Sequence, residues 1–362
     1  MKLYVFLLLS LVSLLADATY EGGRSVSGPY MESIGATLLI AGGLSLGELV
    51  SYTFRSVGGF IAQRGGSRGY WSLLVLGYAA NLAIPALAFA PSWEAAFALY
   101  MVERAGKGLR TPVRDAILAE VSSGIGRGKA FALHELLDQV GAILGPLAVA
   151  LLLARGYGFA LLSLSLPALL SLLLLLLAWR SHPNLESAKP AMGSSPTRGI
   201  LPFYLSIALA MFSFVHWGQA SYLLRELGGE RVAVFYAIAM TVDGLSSLPL
   251  GLALDRYGLR TLLLLPLLTL LSSFALLNAN LPAFLLLWGI AMGAIEVLPR
   301  AAMAVLTRPE ERGAAYSLLY FYMGLGWASG NLISAALPHL APYLFLLSSL
   351  LSLAGLLYTK RI

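Results

Sequence analysis

Apolar segments of roughly 20 residues recur along the whole chain, and this repetition limits the possible folds more than any other feature. Each segment is long enough for a helix that crosses a bilayer, because the hydrocarbon core takes about 20 helical residues. The chain has 362 residues, of which 58% are hydrophobic and 12% charged, about half the charged fraction of soluble domains. The sequence therefore predicts an all-α membrane protein with twelve transmembrane helices. These are expected near residues 3–24, 34–62, 70–90, 93–120, 129–154, 158–180, 199–224, 231–254, 260–279, 282–306, 312–337 and 340–359.

One stretch interrupts this rhythm. Residues 181–199 read SHPNLESAKPAMGSSPTRG, with Pro, Ser and Gly but no apolar run. We interpret the stretch as a linker between two six-helix bundles, residues 1–180 and 200–362. Lys and Arg concentrate in the turns on the linker's side of the predicted helices. Because positively charged loops stay in the cytoplasm, the linker and both termini are predicted to be cytoplasmic.

Composition also excludes several classes of protein. The chain contains no cysteine, which excludes disulfides, thiolate catalysis and Cys-ligated zinc. The net charge of +6 does not indicate a nucleic-acid partner, because the basic residues lie in short loops between apolar segments. The expected partners are the lipid bilayer, a small-molecule or ion substrate, and protons.

The two halves of the chain share short motifs. GFIAQRGGSR at 59–68 and GLALDRYGLR at 251–260 both fit G-x-x-x-[DQ]-R-x-G-x-R. The spacing G-x-x-x-G occurs at 141–145 and again at 326–330. Internal duplication of this kind is typical of secondary transporters.

On these motifs the whole chain resembles the major facilitator superfamily. Residues 251–260 match its loop motif closely, whereas Gln63 stands where an acid is usual. Gly141, Gly145 and Pro146 resemble the core of a helix-5 motif of proton-coupled exporters, without its flanking glycines. RAGKGLRTPVRDA at 104–116 resembles a prokaryotic, exporter-like branch. The resemblance implies a transporter in the prokaryotic cell membrane, which we expect to act as a monomer without a cofactor.

The duplicated loops predict a cytoplasmic gate. Tight turns between helices favour glycine, here Gly66 and Gly258. Arginines and acids at the helix ends are expected to hold the gate closed. The gate residues are predicted to be Gly59, Gln63, Arg64, Arg68, Arg114, Asp115, Gly251, Asp255, Arg256 and Arg260.

Charged residues within the predicted helices are the candidates for the transport site, because a charge near the bilayer centre costs at least about 2.5–3.5 kcal/mol. On the fourth helix Glu103 and Lys107 are spaced to form an i, i+4 pair. On the fifth, His134 and Asp138 share one face, and an imidazole beside carboxylates can pass a proton. The predicted substrate and proton pathway comprises Asp17, Arg104, Lys107, His134, Glu135, Asp138, His216 and Glu296. Asp17 ranks first as the proton carrier and Asp138 second, because Asp17 has no cationic neighbour one turn away, while Arg104 and Lys107 are expected nearby and oppose its protonation.

The predicted function is proton-coupled export of a small solute by alternating access. The alternative is a divalent-cation exporter using Asp17, His216 and His134 or Asp138 as ligands. A membrane-embedded enzyme is a third interpretation, since His134-Glu135 begins a zinc-protease pattern. That pattern lacks its second histidine, so the chain is not expected to be an enzyme and no metal site is predicted.

Overall fold

The computed structural model describes residues 2–122, 126–182, 184–185, 200–308 and 311–359. Throughout these residues the chain is helical, without a β-strand. The helices are α1 Lys2–Ser25, α2 Ser27–Ser33, α3 Leu38–Gly43, α4 Leu46–Arg64, α5 Gly66–Ala79, α6 Ala83–Ala86, α7 Trp93–Val121, α8 Arg127–Leu152, α9 Tyr157–Ser163, α10 Ser165–Ser181, α11 Leu201–Phe212, α12 Trp217–Leu223, α13 Gly229–Tyr257, α14 Leu264–Leu277, α15 Leu281–Leu306, α16 Arg312–Ala336 and α17 Ala341–Tyr358.

Eight helical stretches of the described chain are long and apolar enough to cross a membrane. The protein is thus a multi-pass membrane protein. Helix α7, with 29 residues, is also long enough, but it is more highly charged and carries Glu103, Arg104, Lys107, Arg110, Arg114 and Asp115. Twelve spans and cytoplasmic termini remain predictions.

The chain forms two compact units. Unit 1 comprises Met1–Gly35, Val50–Pro190 and Arg225–Ala237, and unit 2 comprises Ala36–Leu49, Ala191–Leu224 and Ile238–Ile362. The predicted linker lies mostly outside the described residues, so the division at 181–199 remains a prediction.

Unit 1 has an apolar core at one end of α1. Val5, Leu9 and Val12 of α1 pack with Trp71 of α5 and Ile117 of α7, and all are at most 1% exposed. This side of α1 therefore meets protein, and the polar residues further along the same helix are drawn into the interior with it.

The α1–α8 contact depends on the G-x-x-x-G spacing. A Cβ atom placed on Gly141 would collide with the carbonyl oxygen of Leu14, and one on Gly145 with that of Ala18. The two backbones therefore touch directly, as small residues allow in membrane helices.

Unit 2 repeats this contact between α11 and α16. A Cβ atom on Gly326 would meet the carbonyl oxygen of Ala208, and one on Gly330 that of Phe212. The duplicated glycines thus make equivalent helix–helix contacts in the two units.

The turn glycines of the duplicated loop are equivalent as well. Gly66 has φ 56° and Gly258 has φ 66°. This left-handed conformation disfavours other residues, so the tight turns require these glycines, as the motif predicts.

Candidate functional site

One face of α1 carries polar side chains into the interior of unit 1. Their spacing of three and four residues keeps them on a single stripe of the helix. Asp17 is half-buried and the others are buried. The stripe consists of Ser10, Ser13, Asp17, Tyr20, Glu21 and Arg24.

Tyr20 lies at the centre of the charged cluster. Its ring centroid is 4.8 Å from Cζ of Arg104, 4.1 Å from Nζ of Lys107 and 5.5 Å from Cζ of Arg110. The Lys107 ammonium also donates a hydrogen bond of 2.7 Å to the Tyr20 hydroxyl. Cations are attracted to aromatic rings at such distances, so Tyr20 holds three α7 cations beside α1.

Glu103 neutralises part of this positive charge. Its carboxylate accepts a 2.5 Å hydrogen bond from Nε of Arg104 and lies 4.0 Å from Arg110. The sequence spacing predicted a Glu103–Lys107 pair, and the structure shows other partners for both residues. Tyr20 binds Lys107 from the neighbouring helix, and Glu103 pairs with the residue beside it.

Arg110 is bound by main-chain and side-chain acceptors of the protein. Its guanidinium donates to the carbonyl of Gly77 at 3.2 Å and to the side chain of Asn81 at 2.7 Å. Asn81 in turn donates to the carbonyl of Ala16 at 3.3 Å. Arg110 thereby links α7 to α1 and is not available to bind a solute in this arrangement.

Asp17 shares this region with the cations. It is half-buried and lies within electrostatic range of Lys107, Glu21 and Arg110. The sequence argument that Asp17 has no cationic neighbour holds along α1 alone, because α7 brings Lys107 and Arg110 close. Asp17 and Lys107 are the half-buried charges here, whereas Arg104 and Arg110 are at most 7% exposed.

A second cluster follows along the same α1 face. Arg114 forms ion pairs with Asp115 at 2.9 Å and with Asp138 at 3.3 Å. His134 contacts the same Asp138 oxygen through Nε2 at 3.6 Å, and its Nδ1 is 3.2 Å from the Ser10 hydroxyl. Arg114 and Asp115, expected at the gate, therefore also take part in the His134 cluster.

The two clusters are electrostatically connected. Asp138 lies within electrostatic range of Asp17, and Arg114 donates to Ser13 at 3.3 Å. Ser13 shares a 3.1 Å hydrogen bond with Tyr78. Polar groups thus continue from His134 to Lys107 along one side of α1.

Three pathway candidates lie apart from these clusters. Glu135 is exposed on α8, because it follows His134 by one residue and so turns away from α1. Glu296 is half-buried in unit 2, where its main-chain carbonyl accepts a hydrogen bond from Arg300. His216 is buried in unit 2 beside Glu48.

The expected gate residues of the loop motifs lie at helix ends. Arg64 and Arg68 are exposed in unit 1, and Asp255, Arg256 and Arg260 are exposed in unit 2. The side chain of Gln63 lies outside the described residues. The cytoplasmic gate remains a prediction.

Sequence reasoning missed Tyr20, Asn81, Glu48 and Tyr236 as site residues. Tyr236 donates a hydrogen bond to Glu21, which also lies 3.9 Å from Arg24. Tyr20, Asn81 and Tyr236 could not be recognised from the sequence, because a single aromatic or amide residue in an apolar segment forms no motif. Among these four residues Glu48 could have been predicted, because an acid within an apolar segment is a candidate functional residue.

Comparisons with known proteins indicate a membrane transporter rather than an enzyme. Residues 203–361 match the family model Major Facilitator Superfamily. An uncharacterised protein of Mycobacterium tuberculosis is 38% identical over 341 residues, covering 88% of this chain and 82% of that protein. An uncharacterised MFS-type transporter of Methanocaldococcus jannaschii is 26% identical, covering 97% of this chain and 93% of that protein. Residues 203–361 therefore resemble the major facilitator superfamily, and the similarities support a transporter of this kind.

Solved transporter structures share the fold. A peptide transporter of the POT type, crystallised with alafosfalin, has a TM-score of 0.76 at 16% identity, covering 98% of this chain and 94% of that one. The nucleoside transporter NupG has a TM-score of 0.71 at 14% identity, covering 99% and 98%. A bacterial homologue of the human lysosomal transporter Spinster has a TM-score of 0.71 at 15% identity, covering 99% and 94%.

Proposed function

We propose that the protein exports a small solute by alternating access and couples export to proton entry. The observation that carries this proposal is the pair of half-buried opposite charges, Asp17 and Lys107, beside Tyr20. Buried ionisable groups in membrane helices mark substrate and proton pathways. A carboxylate that exchanges a proton while its neighbouring lysine stays charged changes the net charge of the site by one.

The proton step has a direct electrostatic consequence. With Asp17 ionised, Lys107 is balanced by an anion. With Asp17 protonated, the carboxyl group no longer offers an ionised oxygen to a hydrogen-bond-donating group of the solute, so the proton and the solute compete for Asp17. Exchange of protons for solute requires this competition, which links the two binding events through the same side chain.

His134 and Asp138 extend the proton route. Asp138 lies within electrostatic range of Asp17 and contacts His134 at 3.6 Å. The charge state of Asp17 therefore influences the protonation of the α8 cluster. We rank Asp138 second among the proton carriers, and Arg114 lies 3.3 Å from its carboxylate.

The cations beside Asp17 favour this proposal over export of a divalent cation. Arg104, Lys107 and Arg110 surround the same tyrosine, and they repel a metal ion that approaches Asp17. A cation substrate would need this positive charge removed first.

A ligand screen followed by transport in everted vesicles tests the proposal. Ligands are found by the rise in melting temperature that they cause in purified protein, because a ligand of the native state stabilises it. The ligand is then offered to everted vesicles with an acidic interior. An exporter that exchanges protons for solute accumulates the ligand there, and nigericin abolishes the accumulation.

Matched vesicles containing Lys107→Met protein provide the control for the site. We expect them to lose accumulation of the ligand, because the ionised Asp17 loses the cation that balances its charge. Accumulation that needs an alkaline interior would instead indicate proton symport. Accumulation unaffected by nigericin would contradict proton coupling.

A further inference from the structure

The seventh predicted span is broken into two helices in unit 2. Helix α11 ends at Phe212 and α12 begins at Trp217. A break in a membrane helix leaves main-chain groups that must find partners, because lipid offers none. The partners of residues 213–216 therefore decide whether the break is a fixed feature or a place where the chain rearranges.

Side chains from α14 and α15 bind one part of the break. Val215 N–H donates to the hydroxyl of Ser273 at 3.2 Å, and Nε1 of Trp288 donates to the carbonyl of Val215 at 2.9 Å. Ser273 also donates to the carbonyl of Ser213 at 2.6 Å.

Asn331 of α16 binds the rest. Its side-chain oxygen accepts the N–H of His216 at 2.7 Å, and its amide donates to the carbonyl of Phe214 at 3.0 Å. The break is thus held by buried side chains of unit 2, and its geometry fixes where His216 points.

His216 uses its two ring nitrogens differently. Nδ1 accepts a 3.0 Å hydrogen bond from the N–H of Gly218 and so caps the start of α12. A nitrogen that accepts carries no hydrogen, so the neutral ring holds its proton on Nε2. That nitrogen is 3.8 Å from Oε1 of Glu48, which is an ion-pair distance but too long for a hydrogen bond.

Glu48 is held in place by the segment that precedes it. Tyr222 donates to the carbonyl of Ala36 at 3.2 Å. A Cβ atom on Gly218 would lie 2.9 Å from the carbonyl oxygen of Ala41, and one on Gly42 only 3.0 Å from that of Asn331. These contacts pack the segment 36–49 against α12 and α16, and they bring a buried carboxylate to a buried imidazole.

We propose that His216 and Glu48 form a second proton-binding pair, and that a proton moves His216 from capping α12 to pairing with Glu48. The proton comes from water and adds to Nδ1. The ring then carries N–H groups at both nitrogens and can no longer accept from Gly218. It gains the attraction of Glu48 in exchange, so α12 loses its cap while the ion pair tightens.

The groups that face the ring support this exchange. Trp327 lies with its ring centroid 5.4 Å from that of His216, in an edge-to-face arrangement. Trp327 and Asn331 come from α16, and neither side chain titrates. Among these contacts the titratable groups are His216 and Glu48.

The inference rests on the proposed proton coupling but concerns unit 2, and its test requires no substrate. Hydrogen–deuterium exchange is measured by mass spectrometry on peptides covering 217–224, with the full chain in lipid nanodiscs. Rates at pH 7.5 and 5.5 are divided by the intrinsic rate at each pH. Loss of an N-cap is expected to speed exchange of the first turn by about 2- to 30-fold, so the wild-type rate should rise by that factor at the lower pH.

His216→Asn is the deciding variant. The Asn side chain places an oxygen where Nδ1 stands and is a good N-cap, but it does not bind this proton. Exchange in 217–224 should then remain slow at both pH values. His339→Gln, which replaces an exposed histidine of the same unit, should respond as the wild type does.

Glu48→Gln is the second variant, and it leaves the cap intact. Without the carboxylate the charged ring loses its partner, so the rise at pH 5.5 should be reduced at least twofold. An unchanged wild-type rate at pH 5.5, or an equal rise in His216→Asn, would overturn the exchange of bonds. An unreduced rise in Glu48→Gln would remove Glu48 from the pair. Each result is independent of whether Asp17 couples transport.

Discussion

Replacing Gly145 by Ala tests the contact that places α1 against α8. The added Cβ atom would overlap the carbonyl oxygen of Ala18. A backbone atom cannot turn aside as a flexible side chain does, so the helices must separate. Overpacking of this kind costs about 1–3 kcal/mol. Alanine also favours the helix over glycine by about 0.8–1.0 kcal/mol, so the net loss of stability is about 0–2 kcal/mol.

A matched glycine separates the two effects. Gly251 is also in a helix interior, and a Cβ atom there would lie 3.8 Å from Val297, an ordinary contact. Gly251→Ala therefore gains the helix preference without the overlap. Equilibrium unfolding in mixed dodecylmaltoside–SDS micelles should show Gly145→Ala less stable than Gly251→Ala by about 1–3 kcal/mol. Equal free energies of unfolding would refute the close α1–α8 contact.

Three further predictions concern other parts of the molecule. Tyr20→Phe keeps the ring but removes the hydroxyl that accepts the Lys107 hydrogen bond. Lys107 is then held less firmly beside Asp17, so the affinity for the ligand should fall about 3- to 10-fold, as measured by ligand-induced melting shifts. Asn331→Ala removes a partner of the main chain at the helix break and should lower the free energy of unfolding in mixed micelles by about 1–3 kcal/mol. Replacement of the half-buried Ser317 by Ala should cost less, because its hydroxyl bonds only a carbonyl of its own helix. Asp255→Ala should raise maleimide labelling of cysteines placed in the substrate pathway from the cytoplasmic side, since the gate is expected to use this carboxylate, and unchanged labelling would count against the gate.

Local patterns predicted the features that depend on neighbouring residues. The loop motif led to Gly66 and Gly258, and both have the positive φ that a tight turn requires. The repeated apolar segments predicted helices such as α16, expected at 312–337 and found at Arg312–Ala336.

Contacts between distant residues were not predictable in the same way. The i, i+4 rule assigned Lys107 to Glu103, but Tyr20, 87 positions away, takes the ammonium. The break after Phe212 contains no Gly or Pro that would predict it. Its main-chain groups are bound by the side chain of Asn331, 115 residues further along the chain. In both cases a side chain on another helix outweighs the local pattern.

The central claim is that a proton on Asp17 drives transport. Asp17→Asn keeps a side-chain oxygen that can accept a hydrogen bond from the ligand but cannot take up or release a proton, so it should bind the ligand yet not respond to a pH gradient. In proteoliposomes, the variant is expected to exchange labelled for unlabelled ligand at near the wild-type rate while failing to accumulate it under a pH gradient. If Asp17→Asn still concentrates the ligand under the gradient as the wild type does, Asp17 is not the proton carrier and the proposed mechanism is wrong.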